Sequence, residues 1–287
     1  MFQETLTFDL ERLKRGARDL AVDFKNARPF PHVVLDDLIF LKPDELAAWP
    51  EADWEGWNAL AHSYSPNKRQ TDDIAAIPEP MSTLIRQMSE PRFLKVLEEI
   101  TGIERLIPDP YLSGGGLHMS GPGGVLNPHT DFHHYRALDL YRRINVLVYL
   151  NEDWALEDGG CLSLFDKTTN EAVHTVVPAW GRTVIFRTDD QSVHGFPEPI
   201  ADGKWRRSIA LYYYTSAETD VFSGDATTYW RETEQQRGLV RKGRFVLYRG
   251  LLNLSRGVSV VAHLVNPNQG LGLLRSIIAN RKRAARR

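Results

Sequence analysis

The chain has 287 residues, 42% of them hydrophobic, with 7 Trp, 10 Tyr and 12 Phe, which suits one large domain with appendages or two small ones and excludes wholesale disorder. Its single cysteine, Cys161, excludes an intrachain disulfide and any multi-thiolate zinc or iron–sulfur site, and points to a reducing, cytoplasmic setting. The net charge of −2 hides an asymmetry: from Tyr229 onward 13 Lys/Arg face only Glu232 and Glu234, giving +11 and leaving −13 for the 228 residues before.

No apolar run approaches the roughly 18 residues of a membrane span. The start lacks a basic segment followed by an apolar one, so export is not expected. Residues 8–27 carry Leu10, Leu13, Ala17, Leu20, Ala21 and Phe24 at helical spacing, which predicts an amphipathic helix. Pro29 to Asp36 reads as a proline-bounded short strand. Pro43-Asp44-Glu45-Leu46 carries helix-start signals. Two more helical patterns run from Met81 to Met88 and from Pro91 to Ile100, the second closed by Gly102.

After Pro108 the texture changes. Short runs rich in Val, Ile, Leu and Tyr follow one another at 143–150, 161–165, 172–177, 182–186 and 207–214, divided by turn signals such as Glu157-Asp158-Gly159-Gly160. No helical pattern separates them, so the expectation is a mainly β protein with flanking helices (α+β), its core a β-sandwich or jelly-roll. Three regions follow: a helical and strand-bearing support packed on the core (1–107), the β core (108–217) and a basic C-terminal extension (218–287) with a short helix expected over 271–287. The extension could touch an anionic membrane surface or fold back on the acidic body; nucleic acid is not the expected partner.

The chemistry concentrates at Asn127-Pro128-His129-Thr130-Asp131. On extended chain, residues i and i+2 project to one face, so an imidazole and a carboxylate point together. His194 follows the run 182–186 and supplies a second nitrogen. Two nitrogens and one oxygen on one face of an octahedron leave three positions open for a co-substrate and O2, the facial triad of non-haem Fe(II) oxygenases. Further on, Arg206 and Ser208 share a face at the start of an apolar strand, a guanidinium and a hydroxyl suited to gripping a carboxylate. On the same period-2 logic Arg207 faces the outer layer. The Tyr149 phenol is a candidate for one more hydrogen bond to that carboxylate. Of the other histidines, His32, His62, His118, His174 and His263 have no acid or histidine at ligand spacing and read as structural or surface groups. His133 and His134 lie just past the site, at a candidate substrate mouth.

In this order, His129-x-Asp131, then Tyr149-Leu150-Asn151-Glu152-Asp153-Trp154, Gly159-Gly160-Cys161-Leu162, His194 and Arg206-x-Ser208, the chain resembles the prolyl-hydroxylase-type branch of the 2-oxoglutarate/Fe(II) oxygenases from about Pro29 to Thr215. The resemblance implies a double-stranded β-helix (cupin-like) core. It implies that His129, Asp131 and His194 bind Fe(II), and that 2-oxoglutarate chelates the iron through its keto-acid end. Arg206, helped by Tyr149 and Ser208, holds the far carboxylate. The implied activity is hydroxylation of a C–H bond with release of succinate and CO2, and ascorbate often keeps the iron reduced. Relatives commonly carry a Tyr about ten residues before the first metal histidine; Leu117-His118-Met119-Ser120-Gly121 stands there instead, with His118 a candidate replacement. The substrate stays open between a prolyl residue, a free amino acid, a sugar and a lipid-linked glycan. The alternatives are a cupin-like metal-binding module without turnover, and a lipid- or glycan-associated protein whose basic tail is the functional part.

Overall fold

A computed structural model describes residues 5–59, 67–216 and 229–230, together with the four helical residues Leu247, Gly250, Leu251 and Leu254. The expected helix over 271–287, and also His62 and His263, lie outside the described residues. The chain divides into two compact units, 1–233 and 234–287. In the second, Leu247, Leu251 and Leu254 are exposed. No helix among the described residues is long and apolar enough to cross a membrane.

In the first unit the helices are α1 (Leu10–Asn26), α2 (Met81–Gln87) and α3 (Pro91–Thr101). Asp9 caps α1 by accepting a hydrogen bond from the Arg12 backbone N–H, satisfying a donor that the first turn leaves free. The start signal at Pro43 yields a 3-10 helix, Pro43–Ala48, instead of an α-helix. The strands are β1 (His32–Leu35), β2 (Asn58–Ala59), β3 (Lys68–Thr71), β4 (Ile107–Pro108), β5 (Gly116–Ser120), β6 (Leu126–Thr130), β7 (His134–Tyr135), β8 (Leu140–Tyr149), β9 (Leu162–Phe165), β10 (Ala172–Val176), β11 (Thr183–Arg187), β12 (Val193–Phe196), β13 (Arg206–Thr215) and β14 (Tyr229–Trp230).

They form two antiparallel sheets. The larger runs β1-β11-β8-β13-β5-β3-β2, with β4 on β13 and β7 on β8; the smaller runs β10-β9-β12-β6-β14. Strand neighbours distant in sequence, such as β8 beside both β11 and β13, are the mark of the expected jelly-roll. Because side chains alternate across a sheet, the central strands present two apolar faces. Val146, Val148, Ile209, Leu211 and Tyr213 join Leu13, Ala17, Phe93 and Leu97 of the helices in one core. Leu147, Tyr149, Ala210 and Tyr212 face the other way, toward Leu162 and Leu164 of the smaller sheet. This double burial makes β8 and β13 near-continuous apolar runs that the sequence alone reveals. The space between the sheets is where the polar candidates gather.

Candidate metal centre

β6 and β12 run side by side, with His129 directly opposite His194. The strands approach closely because Gly195 has no side chain: a Cβ there would lie 2.6 Å from the Leu126 carbonyl oxygen. The result brings one ligand atom from each of His129, Asp131 and His194 within 4.8 Å of the others, all three residues buried. His129 Nε2 is 3.6 Å and His194 Nε2 4.0 Å from the same oxygen, Asp131 Oδ1.

Each imidazole is held through its Nδ1. Nδ1 of His129 donates to the Asn127 carbonyl and Nδ1 of His194 to the Ser192 carbonyl, each at 2.9 Å. A carbonyl can only accept, so Nδ1 is the donor on each ring, and each Nε2 faces Asp131 Oδ1. Burial, then the like charge of His129, lowers the His194 pKa to about 4, which keeps its Nε2 available for a metal. Burial works against a charged Asp131, yet the adjacent His129, His194 and Arg142 hold its pKa well below the ordinary carboxylate range. Two imidazole nitrogens and a carboxylate are the donor set that a divalent iron ion of this class requires, so the residues fit the group.

Two residues that the sequence did not single out complete the surroundings. Arg142 is fully buried; its Nη1 stands 3.4 Å from Asp131 Oδ2. Its guanidinium lies 3.8 Å from the Phe132 ring centre and 3.6 Å from that of Tyr212, a sandwich that holds the charge in place. Asn145 donates from Nδ2 to Asp131 Oδ2 at 3.2 Å. Its Oδ1 is buried and has no hydrogen-bond partner among the described residues, leaving an acceptor beside the centre.

The residues expected to grip a carboxylate, Arg206, Ser208 and Tyr149, lie together on one face. Arg206, 6% exposed, donates from Nε to the Gly160 carbonyl at 2.7 Å and from Nη2 to the Tyr149 hydroxyl at 3.1 Å. Its guanidinium also lies 4.4 Å from the Phe196 ring centre. Ser208 pairs with Tyr149 across β13 and β8, so both sit with Arg206 on the inner face. Arg207 points the other way, and its backbone N–H donates to Asn151 Oδ1. His118 pairs with Ser208 from β5. Burial holds it well below the usual histidine range, with Lys68 the next influence, and its Nε2 is bonded to the Gly114 carbonyl. His133 lies against Asp190 at 2.8 Å and His134 against Asp139 at 2.9 Å, and neither enters the triad. His32 and His174 contact one another, ring centres 5.1 Å apart, away from the triad's ligand set.

Residues 115–214 match the model of the 2OG-Fe(II) oxygenase superfamily. Prolyl 3-hydroxylase OGFOD1 of Xenopus laevis is 32% identical over 77 residues, 25% of this chain and 15% of that protein. The Mus musculus protein is 27% identical over 150 residues, 51% of this chain and 26% of that one. The chain thus spans about a quarter or less of the length of these curated relatives. Among solved structures, a prolyl 4-hydroxylase from Phytophthora capsici superposes with a TM-score of 0.50 at 22% identity, covering 82% of this chain and 74% of that one. A Trichoplax adhaerens prolyl hydroxylase, in complex with a hypoxia inducible factor peptide fragment, superposes with a TM-score of 0.50 at 18% identity, covering 74% and 94%. At that identity these two speak for the fold.

Proposed function

With a core, residues 115–214, that belongs to the 2OG-Fe(II) oxygenase superfamily, we propose that this chain is a 2-oxoglutarate- and O2-dependent Fe(II) dioxygenase that hydroxylates an unactivated C–H bond. Succinate and CO2 are the co-products. The observation that carries the reading is the convergence of His129, Asp131 and His194, both Nε2 atoms facing one carboxylate oxygen, with Arg206 anchored on the same inner face. A metal-binding module without turnover has no use for that second, carboxylate-gripping group.

When bound, iron supplies the activation of O2 and the oxidising power for the C–H bond. The chain's own residues do the rest. His129, Asp131 and His194 hold the metal from one side, and Arg142 and Asn145 fix the Asp131 carboxylate. Arg206, with the hydroxyls of Tyr149 and Ser208, holds the far carboxylate of 2-oxoglutarate by charge-assisted hydrogen bonds. The sandwich of aromatic and aliphatic side chains between the sheets excludes bulk water.

The substrate class is a prolyl-type residue, supported by the relatives' names, or a small molecule or glycan. Ascorbate serves as reductant for the iron. A reducing, cytoplasmic compartment is supported by the lone cysteine, which is buried. The +11 charge after Tyr229 supports weak contact with an anionic membrane surface; vesicle sedimentation with and without residues 270–287 tests it, and equal partitioning at low salt ends it.

The deciding experiment follows succinate release by purified, iron-loaded protein across prolyl peptides, amino acids and glycans. His129→Ala and His194→Ala should abolish both iron retention and 2-oxoglutarate turnover. Wild-type turnover in either variant would overturn the assignment.

A further inference from the structure

We propose that Lys68 is a subsite for an anionic group, a carboxylate, on the primary substrate. The proposal rests on the oxygenase reading and narrows its substrate class.

Lys68 lies on β3, opposite Ser120 of β5, and Ser120 in turn lies opposite Arg206 of β13. Residues directly opposite in a ladder project to the same face, so Lys68, Ser120 and Arg206 form one row on the inner wall. Arg69, one residue on, faces outward, with its guanidinium 5.1 Å from the Trp205 ring centre, as alternation requires. The Lys68 ammonium feels the charges of Asp131 and Arg206, and His118 feels its charge in turn. It is therefore in the iron cavity's electrostatic field and not on an outer surface.

Among the described residues no hydrogen bond or ion pair reaches that ammonium, which is uncommon for an inward-facing charge. Burial, together with the like charge of Arg206 and against the pull of Asp131, lowers its pKa to about 8, so at neutral pH it still carries a proton. The other charges of the wall have assigned partners. Arg142 is matched by Asp131. Arg206 is held on the Gly160 carbonyl and the Tyr149 hydroxyl, and the proposed function gives its remaining N–H groups to the far carboxylate of 2-oxoglutarate. Lys68 is the positive charge left over after the co-substrate is provided for.

Its position also favours an incoming molecule. Arg206 is 6% exposed, whereas Lys68 is only partly buried, and it sits on the strand next to the sheet edge, β2. An anion arriving from solvent meets Lys68 before Arg206. A substrate carboxylate seated there would orient the molecule by a charge-assisted contact, while a neutral isostere would leave the ammonium without a partner.

The test uses the full chain, loaded with Fe(II) and 2-oxoglutarate without O2, and calorimetric titration of matched probes: L-proline against L-prolinamide, and L-glutamate against L-glutamine. The wild type should bind the acid of at least one pair roughly tenfold or more tighter than the partner lacking that carboxylate. Lys68→Gln should erase the preference, and Lys68→Arg should retain it. The affinity for 2-oxoglutarate itself should change less than about threefold in either variant. Acids and amides binding alike to the wild type, or a preference that survives in Lys68→Gln, would overturn the proposal. So would a tenfold loss of 2-oxoglutarate affinity in Lys68→Gln with the acid preference intact, which would assign Lys68 to the co-substrate. Failure of the oxygenase reading is separate and visible: the wild type would then not bind 2-oxoglutarate at all.

Discussion

Arg142 Nη1 stands 3.4 Å from Asp131 Oδ2, and both residues are buried. Removing a fully buried partner leaves an uncompensated charge, at a cost of about 3–5 kcal/mol, and it also frees the ligand carboxylate to turn. Arg142→Met should lower the melting temperature and weaken Fe(II) binding by roughly 10- to 100-fold. Arg142→Lys should not restore either property, because an ammonium cannot fill the flat space between Phe132 and Tyr212. Chelator competition and thermal unfolding read the two effects. Unchanged iron affinity in Arg142→Met would remove Arg142 from any role in positioning Asp131.

Arg206 and Arg207 make a sharp contrast, since adjacent positions face opposite sides of β13. Losing a charge-assisted contact to a buried carboxylate costs a few kcal/mol, and about 1.4 kcal/mol is tenfold. Arg206→Ala should therefore raise the apparent KM for 2-oxoglutarate by roughly two orders of magnitude. Arg207→Ala should change it only a few-fold. Succinate formation at varied 2-oxoglutarate decides; a large effect at Arg207 with little at Arg206 would reverse the facing of the strand in function.

Gly195 sets the spacing of the two histidine-bearing strands. A methyl group there meets the carbonyl oxygens of Leu126 and Asn127 at 2.6 and 2.9 Å, and backbone cannot yield as a side chain would. Gly195→Ala should push β12 from β6 and part His194 from His129, with a destabilisation of about 1–3 kcal/mol. Iron affinity should fall more than overall stability suggests. Denaturant unfolding of the metal-free protein beside an iron titration separates the two, and a variant with normal iron affinity would contradict the spacing role.

Glu79 gives a pH-dependent stability term remote from the metal. Slight burial works against its charged form, but hydrogen bonds from Thr83, Arg86 and Ser82 lower its pKa from 4.5 to about 2. A carboxylate depressed in the folded state contributes stability above its unfolded pKa, and that contribution is lost as pH falls through the folded value. The gap in melting temperature between wild type and Glu79→Gln should therefore be present at neutral pH and shrink between pH 4.5 and about 2. The pair is exposed, so the gap should be small. A gap that widens on acidification would show the sign to be wrong.

The sequence by itself determined the parts of this protein that local pattern encodes. The amphipathic helices α1 and α3, and the apolar strands β8, β9, β11 and β13, follow from periodicity, because each buries at least one face and its residues must say so. The facing of Arg206 follows from period-2 geometry on β13, and the His129-x-Asp131 pair is legible as a motif from its spacing alone. The tertiary structure alone decided what distant pairing creates. β3, β5, β6 and β12 were not legible as strands. They are short and carry Lys68, Gln70, His118, Asn127, His129 and His194, polar residues that belong indoors only because a cavity needs them. Arg142 shows the reason most sharply. Counting by twos from the inward Tyr149 puts Arg143 inside, but the ladder between β8 and β13 shifts register at Tyr213/Tyr214, pairing Tyr214 with Arg142. That one-residue irregularity turns Arg142 toward Asp131, and it exists only in the match between two strands whose paired residues there, Arg142 and Tyr214, lie 72 positions apart.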